Sequence, residues 1–256
     1  MKIDKRKIYF ITLDTETTAD RTPEENQKLG ASMKKYIYDF GYTIADKNNT
    51  NMKREWLVQE IFENEELMSN AYYSNKKAMY DKRLKEGSIT LKPFAEIIKI
   101  LQKDVQDWDI KMFGAFNVSF DVDALMQTTN LIYPKIFPMY WKTTKSGKIA
   151  PDTMKFVQKN ILKKDIEIVD IWTLSCKVLC NQKTFQAYYK QKGKRGIKSN
   201  AEIIYNYIND TNDFVEEHTA LADAIIETEI WQRVLKNHVS VGSKFEYFPF
   251  RFIKEV

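Results

Sequence analysis

The run Lys7-Ile8-Tyr9-Phe10-Ile11-Thr12-Leu13 leads without a break into Asp14-Thr15-Glu16-Thr17. β-Branched and aromatic residues bounded by a polar, proline-containing stretch signal a strand. The chain must therefore bury an apolar strand that ends in two carboxylates. Side chains at i and i+2 share one face of a strand, which sets Asp14 and Glu16 roughly 7 Å apart. Two hard oxygen ligands at that spacing can hold one divalent ion, or share a pair of ions about 4 Å apart. Taken alone, an exposed acidic strand end is the simpler explanation, because the chain has 35 acidic residues.

Two later segments change that weighting. Lys111-Met112-Phe113-Gly114-Ala115-Phe116 reads as another strand, broken by Asn117-Val118-Ser119. Val122, Leu125 and Met126 then continue at helical spacing, with Ser119 as the expected N-cap. That cap leaves Asp121 in the first turn, where the helix dipole favours a negative side chain, so ordinary helix design also explains it. The stretch 214–237 reads as one long helix with an apolar stripe at Ile226, Ile230 and Val234. Asp223 extends that stripe toward the helix start, and an ionised carboxylate on a buried line is costly unless paired or metal-bound. His218 sits about a turn and a half earlier, and it is one of two histidines. The other, His238, has no such company and reads as structural.

Together these segments resemble the DEDD superfamily of 3′→5′ exonucleases, in the branch whose last motif is His-x(4)-Asp. That branch includes the proofreading subunit of bacterial replicative polymerases, ribonuclease T and oligoribonuclease. The three matches are Asp14-Thr15-Glu16-Thr17, Asn117-Val118-Ser119-Phe120-Asp121, and His218-Thr219-Ala220-Leu221-Ala222-Asp223, in the family's order. The resemblance covers roughly residues 7–237. It implies an α/β fold, with a ribonuclease-H-like mixed five-stranded sheet flanked by helices. It also implies that Asp14, Glu16, Asp121 and Asp223 bind two Mg²⁺ or Mn²⁺ ions across the scissile phosphate. His218 would take the proton of the attacking water, a task suited to an imidazole. Thr15, Thr17 and Thr18 would line the pocket for the terminal nucleotide, with Asn117 and Phe120 in support. The implied product is a nucleoside 5′-monophosphate, with DNA favoured over RNA as the substrate.

The match is not uniform. Segments 64–87, polar and helix-prone, and 133–165, basic and aromatic, read as insertions in a single exonuclease domain over 1–256. Lys190-Gln191-Lys192-Gly193-Lys194-Arg195-Gly196-Ile197-Lys198 packs five cations into nine residues. Its Lys192, Lys194 and Arg195 are candidate phosphate contacts, set against the alternative of a solvated basic surface. Tyr140 and Trp141 lie among Lys142, Lys145 and Lys148. Cations neutralise phosphates and aromatics stack on unpaired bases, so both segments suit a single-stranded nucleic acid. Ser199-Asn200-Ala201-Glu202 reads as a capping box before Ile203-Ile204-Tyr205.

Composition fits these expectations. With 256 residues and 43% hydrophobic content, the chain can bury one decorated core. It has no apolar run of about 18 residues that could span a membrane. Its charged start reads as leading into a core strand, not as a secretory leader. Cys176 and Cys180 lack zinc-type companions and read as reduced core thiols. A cytoplasmic location follows as an expectation, with a polymerase or replication complex as a candidate partner. The competing readings are an RNA-processing exoribonuclease of the same fold and a non-catalytic nucleic-acid-binding or polymerase accessory protein.

Overall fold

The computed structural model describes residues 3–4, 6–22, 25, 33–71, 74–134, 151–191, 197–237 and 249–254. Strands β1 (Phe10–Ala19), β2 (Lys35–Ala45) and β3 (Thr50–Val58) form an antiparallel meander. β4 (Leu91–Lys92) pairs parallel to β3, and β5 (Met112–Ala115) and β6 (Glu167–Asp170) continue the sheet in parallel beyond β1. The resulting order is β4-β3-β2-β1-β5-β6. The mixed sheet flanked by helices that the sequence led us to expect is thus present, but with six strands instead of five. The extra strand, β4, is two residues long, too short to give an alternating pattern.

The helices that matter here are α1 (Glu65–Ser69), α2 (Lys77–Lys85), α3 (Phe94–Asp107), α4 (Val118–Ile132), α5 (Ile171–Val178), α6 (Lys183–Gln191), α7 (Ala201–Ile208) and α8 (Ala220–Lys236). The described part of the 64–87 segment is helical as expected, and Asn64 caps α1 by accepting from the Leu67 N–H at 3.0 Å. The described end of the 133–165 segment is also helical: Pro151–Phe156 runs into a π-helical turn, Val157–Leu162. Three expected boundaries shift. α4 begins at Val118 behind a left-handed Asn117 (φ 65°), so Ser119 lies inside the helix and donates to Asn117 Oδ1 at 2.9 Å. α7 has Asn200 at its cap position without a side-chain cap bond, while Ser199 accepts from Trp172 Nε1 at 2.9 Å. α8 starts at Ala220, not 214, because Thr219 is extended and His218 is left-handed (φ 52°).

Strand alternation splits the core in two. Ile11 and Leu13 pack with Ile97 and Leu101 of α3 and Val122 and Leu125 of α4. Phe10 packs instead with Val169, Leu174 of α5, and Ile230 and Trp231 of α8. Both faces of β1 are therefore covered, and Phe10 to Leu13 are fully buried. Cys176 and Cys180 are buried free thiols.

Two glycines set how closely α8 lies on the sheet. A Cβ on Gly41, the β2 residue paired with Asp14, would stand 2.3 Å from Leu221 N and 2.4 Å from the Ala220 carbonyl carbon. A Cβ on Gly114 would stand 2.8 Å from the Trp231 ring, which itself packs 4.3 Å from the Phe10 ring. The start of α8 and its Trp231 ring thus rest on bare backbone, a close approach only glycine permits. Among the described residues, no helix is long and apolar enough to cross a membrane.

Candidate metal and active site

β1 runs on through Ala19, so Asp14 and Glu16 sit within the strand and not at its end. The two carboxylates follow Phe10 and Thr12 at alternate positions, on the β1 face against which α8 packs. The first turn of α8 brings Asp223 to them. One carboxylate oxygen from each of Asp14, Glu16 and Asp223 falls within 4.8 Å of the other two. The helix start is held from below by Asp39, the β2 partner of Glu16, which accepts from the Ala220 N–H at 3.1 Å and the Tyr80 hydroxyl at 2.7 Å.

His218 stands at the mouth of this group. Its Nδ1 lies 3.8 Å from Asp223 Oδ2 and 3.8 Å from Glu216 Oε2. The left-handed backbone at His218 is unusual for a non-glycine residue and needs surrounding support. Lys76 supplies some of it, donating to the His218 carbonyl at 2.9 Å and to the Glu217 carbonyl.

The carboxylates are uncomfortable together. Burial, reinforced first by Glu227 and then by Asp121, raises the Asp14 pKa well above its ordinary value. Burial and Asp223 raise Glu16 to about 9. Burial raises Asp121 to about 7 against the opposing pull of the Thr15 hydroxyl, which donates to its Oδ1 at 2.8 Å. Burial and Glu216 raise Asp223 to about 7. His218 moves the other way, lowered by burial and by Lys76. Like charges brought together out of water disfavour ionisation, and a divalent cation among them reverses that preference. The donor set passes a further test: Asp223 Oδ1 is buried and, among the described residues, has no hydrogen-bond partner. Hard oxygen donors suit Mg²⁺ or Mn²⁺.

Asp14, Glu16, His218 and Asp223 open into a cleft of about 680 Å³, which Thr15, Thr17, Thr18 and Phe120 also line. Lys35 holds its Nζ 3.8 Å from the centre of the Phe120 ring, so one wall carries both an aromatic face and a cation. Thr18 donates its hydroxyl to the Leu67 carbonyl, tying that wall to α1. Asp121 is buried beside the cleft and reaches it through Thr15. Asn117 does not line the cleft: its N–H donates to Asp170 Oδ1 at 3.2 Å and its side chain accepts from Ser119. Lys192, Lys194 and Arg195 lie outside the described residues, as do the aromatic segment at 140–142 and His238.

Several residues of the site were not singled out in the sequence. Glu227 follows Asp223 by one helical turn, is buried, and accepts from the Phe116 N–H at 3.0 Å. Its i+4 spacing from Asp223 carried that signal. Glu216, Lys76 and Asp39 carried none, because tertiary packing alone brings them in.

No family model and no curated protein sequence matches the chain. Among the solved structures similar to it are two of low identity. One is the cell-death related nuclease 4 (CRN-4), with a TM-score of 0.45 at 11% identity, covering 89% of this chain. The other is a full-length 3′-exonuclease, with a TM-score of 0.47 at 11% identity, covering 93% of this chain. The chain spans 64% of the length of each.

Proposed function

We propose that the chain is a metal-dependent 3′→5′ exonuclease. It would hydrolyse single-stranded nucleic acid, DNA ahead of RNA, to nucleoside 5′-monophosphates. The observation that carries this reading is the convergence of Asp14, Glu16 and Asp223 within 4.8 Å, with the His218 imidazole 3.8 Å from Asp223. The polarity rests on the match of these residues to the motifs of the 3′→5′ family.

Asp14, Glu16 and Asp223, with Asp121 behind Thr15, would hold two Mg²⁺ or Mn²⁺ ions. When bound, the ions would supply Lewis-acid stabilisation to the attacking water and to the leaving oxygen of the scissile phosphate. His218 removes the proton of the attacking water through its imidazole, whose lowered pKa keeps it unprotonated and able to accept near neutral pH. The Phe120 face offers a surface on which a terminal base stacks. Lys35, beside that ring, offers a cation to a phosphate. Thr17 and Thr18 border the same space.

The reading is tested with end-labelled single strands in Mg²⁺, comparing DNA, RNA and a blocked 3′ end. Stepwise release of mononucleotides from the free 3′ end of DNA is the expected result. Cleavage of a circular or 3′-blocked strand would mean an endonuclease instead. A faster reaction on RNA would make the protein an exoribonuclease of the same fold.

A further inference from the structure

His218 is shared between two carboxylates, those of Asp223 and Glu216. One donor atom from each of Glu216, His218 and Asp223 lies within 4.8 Å of the other two. The Nδ1 atom is 3.8 Å from both carboxylate oxygens. None of the three side chains is fully in water: they are 16%, 35% and 14% exposed respectively.

This donor set differs in kind from that of Asp14, Glu16 and Asp223. Mg²⁺ favours oxygen ligands in a near-octahedral shell and retains several waters. An imidazole with two carboxylates suits borderline ions such as Zn²⁺ or Co²⁺, which bind both nitrogen and oxygen. Around a tetrahedral zinc ion with bonds of about 2.0–2.1 Å, neighbouring ligand atoms stand about 3.4 Å apart. Closing the two edges at the imidazole from 3.8 Å to that spacing takes about 0.4 Å each, and the Glu216–Asp223 edge, within 4.8 Å, closes by at most about 1.4 Å.

Glu216 and Asp223 each hold a carboxylate oxygen 3.8 Å from the imidazole, and Glu202 adds negative charge beside Glu216, while Lys76 opposes them. That ammonium is turned onto the Glu217 and His218 carbonyls, where it steadies the loop that carries two of the three ligands.

We propose that Glu216, His218 and Asp223 form a second, inhibitory site for a transition-metal ion of the zinc class. The fourth position is left open to water. Filling the site draws the imidazole and the Asp223 carboxylate onto the ion, so neither serves phosphodiester hydrolysis. The inhibition rests on the function proposed above, whereas the binding of the ion does not.

The experiment is equilibrium dialysis of the whole chain against Zn²⁺ in excess Mg²⁺, with the retained zinc counted and hydrolysis titrated in parallel. Wild-type protein should retain a single Zn²⁺ that excess Mg²⁺ does not displace, and hydrolysis should stop as it fills. Glu216→Gln and Glu216→Ala should bind Zn²⁺ at least about tenfold more weakly, and their hydrolysis, measured against each variant's own zinc-free rate, should resist inhibition to the same degree. His218→Ala should lose the site, and with it the visible spectrum that Co²⁺ shows when bound to wild type. Wild-type zinc affinity in both Glu216 variants, or no zinc retained by wild type, would overturn the proposal. A wild-type protein without hydrolysis would overturn only the proposed function, because the dialysis decides the site independently.

Discussion

Gly41→Ala tests whether the seating of α8 on β2 is what delivers Asp223 to Asp14. The added Cβ would lie 2.3 Å from Leu221 N, 2.4 Å from the Ala220 carbonyl carbon and 2.7 Å from Leu221 Cα. All three are backbone atoms, so no side-chain rotation relieves the clash. Carbon contacts settle near 3.5–4.0 Å, and the start of α8 must therefore lift by about 1 Å. Overpacking of this kind costs about 1–3 kcal/mol. In a chain of this size each kcal/mol lowers Tm by about 2–4 °C. A shift of about 1 Å in a catalytic group can cost about 10²-fold in rate, and Asp223 lies in the turn that lifts. Gly87→Ala is the control. Gly87 has φ +69° with nothing within 4 Å of its Cβ position, so its variant should lose stability through backbone strain and keep its rate. Calorimetry and a single-strand hydrolysis assay on both variants read the two effects separately. Wild-type Tm and rate in Gly41→Ala would refute the seating, and equal rate losses in both variants would reduce it to a general stability effect.

His218→Ala should lower the hydrolysis rate about 10²-fold or more while Mn²⁺ binding persists, and the wild-type rate should fall below the imidazole's lowered pKa. A flat profile from pH 5 to 8 would leave the base elsewhere. The carboxyls of Glu16 (about 9), Asp121 (about 7) and Asp223 (about 7) titrate above their ordinary values of 4.5, 3.8 and 3.8. Between those limits the metal-free folded state binds more protons than the unfolded state, so its stability falls as pH rises from about 4 toward 9. Thermal unfolding in chelator should show that slope, and added Mg²⁺ should stabilise the protein more at pH 8 than at pH 5; a metal-induced shift independent of pH would refute the linkage. Neutralising Lys192, Lys194 and Arg195 together should weaken single-strand binding and flatten its salt dependence, and an unchanged slope would assign the segment to solvated surface.

The candidate carboxylates Asp14, Glu16 and Asp223 were legible because each lies on a pattern that survives folding. The alternation of β1 puts Asp14 and Glu16 on one face, and the stripe of Ile226, Ile230 and Val234 points back to Asp223. The start of α8 was not legible. Residues 214–219 have helix-compatible composition, but Lys76 engages the Glu217 and His218 carbonyls from 141 and 142 residues away. Asn117 tells the same story at smaller scale. Ser119 obeys the local capping rule, yet the chain turns earlier through an asparagine, a residue that tolerates the left-handed region. Glu227 was passed over because a glutamate on a helix is ordinarily exposed, and here the buried face is wide enough to take it in. β4 and the network of Asp39 with Tyr80 arise only from contacts between distant segments.

Asp14, Glu16 and Asp223 are proposed to form a divalent-metal centre on which hydrolysis depends. Mn²⁺ binding followed by paramagnetic resonance, with hydrolysis measured on the same samples, tests it most directly. Wild-type protein should bind two ions, and Asp14→Asn and Asp223→Asn should lose at least one while remaining folded. Hydrolysis should disappear in both variants, and in wild type on addition of chelator. Undiminished Mn²⁺ binding or full Mg²⁺-dependent activity in Asp14→Asn would contradict a metal centre at these residues.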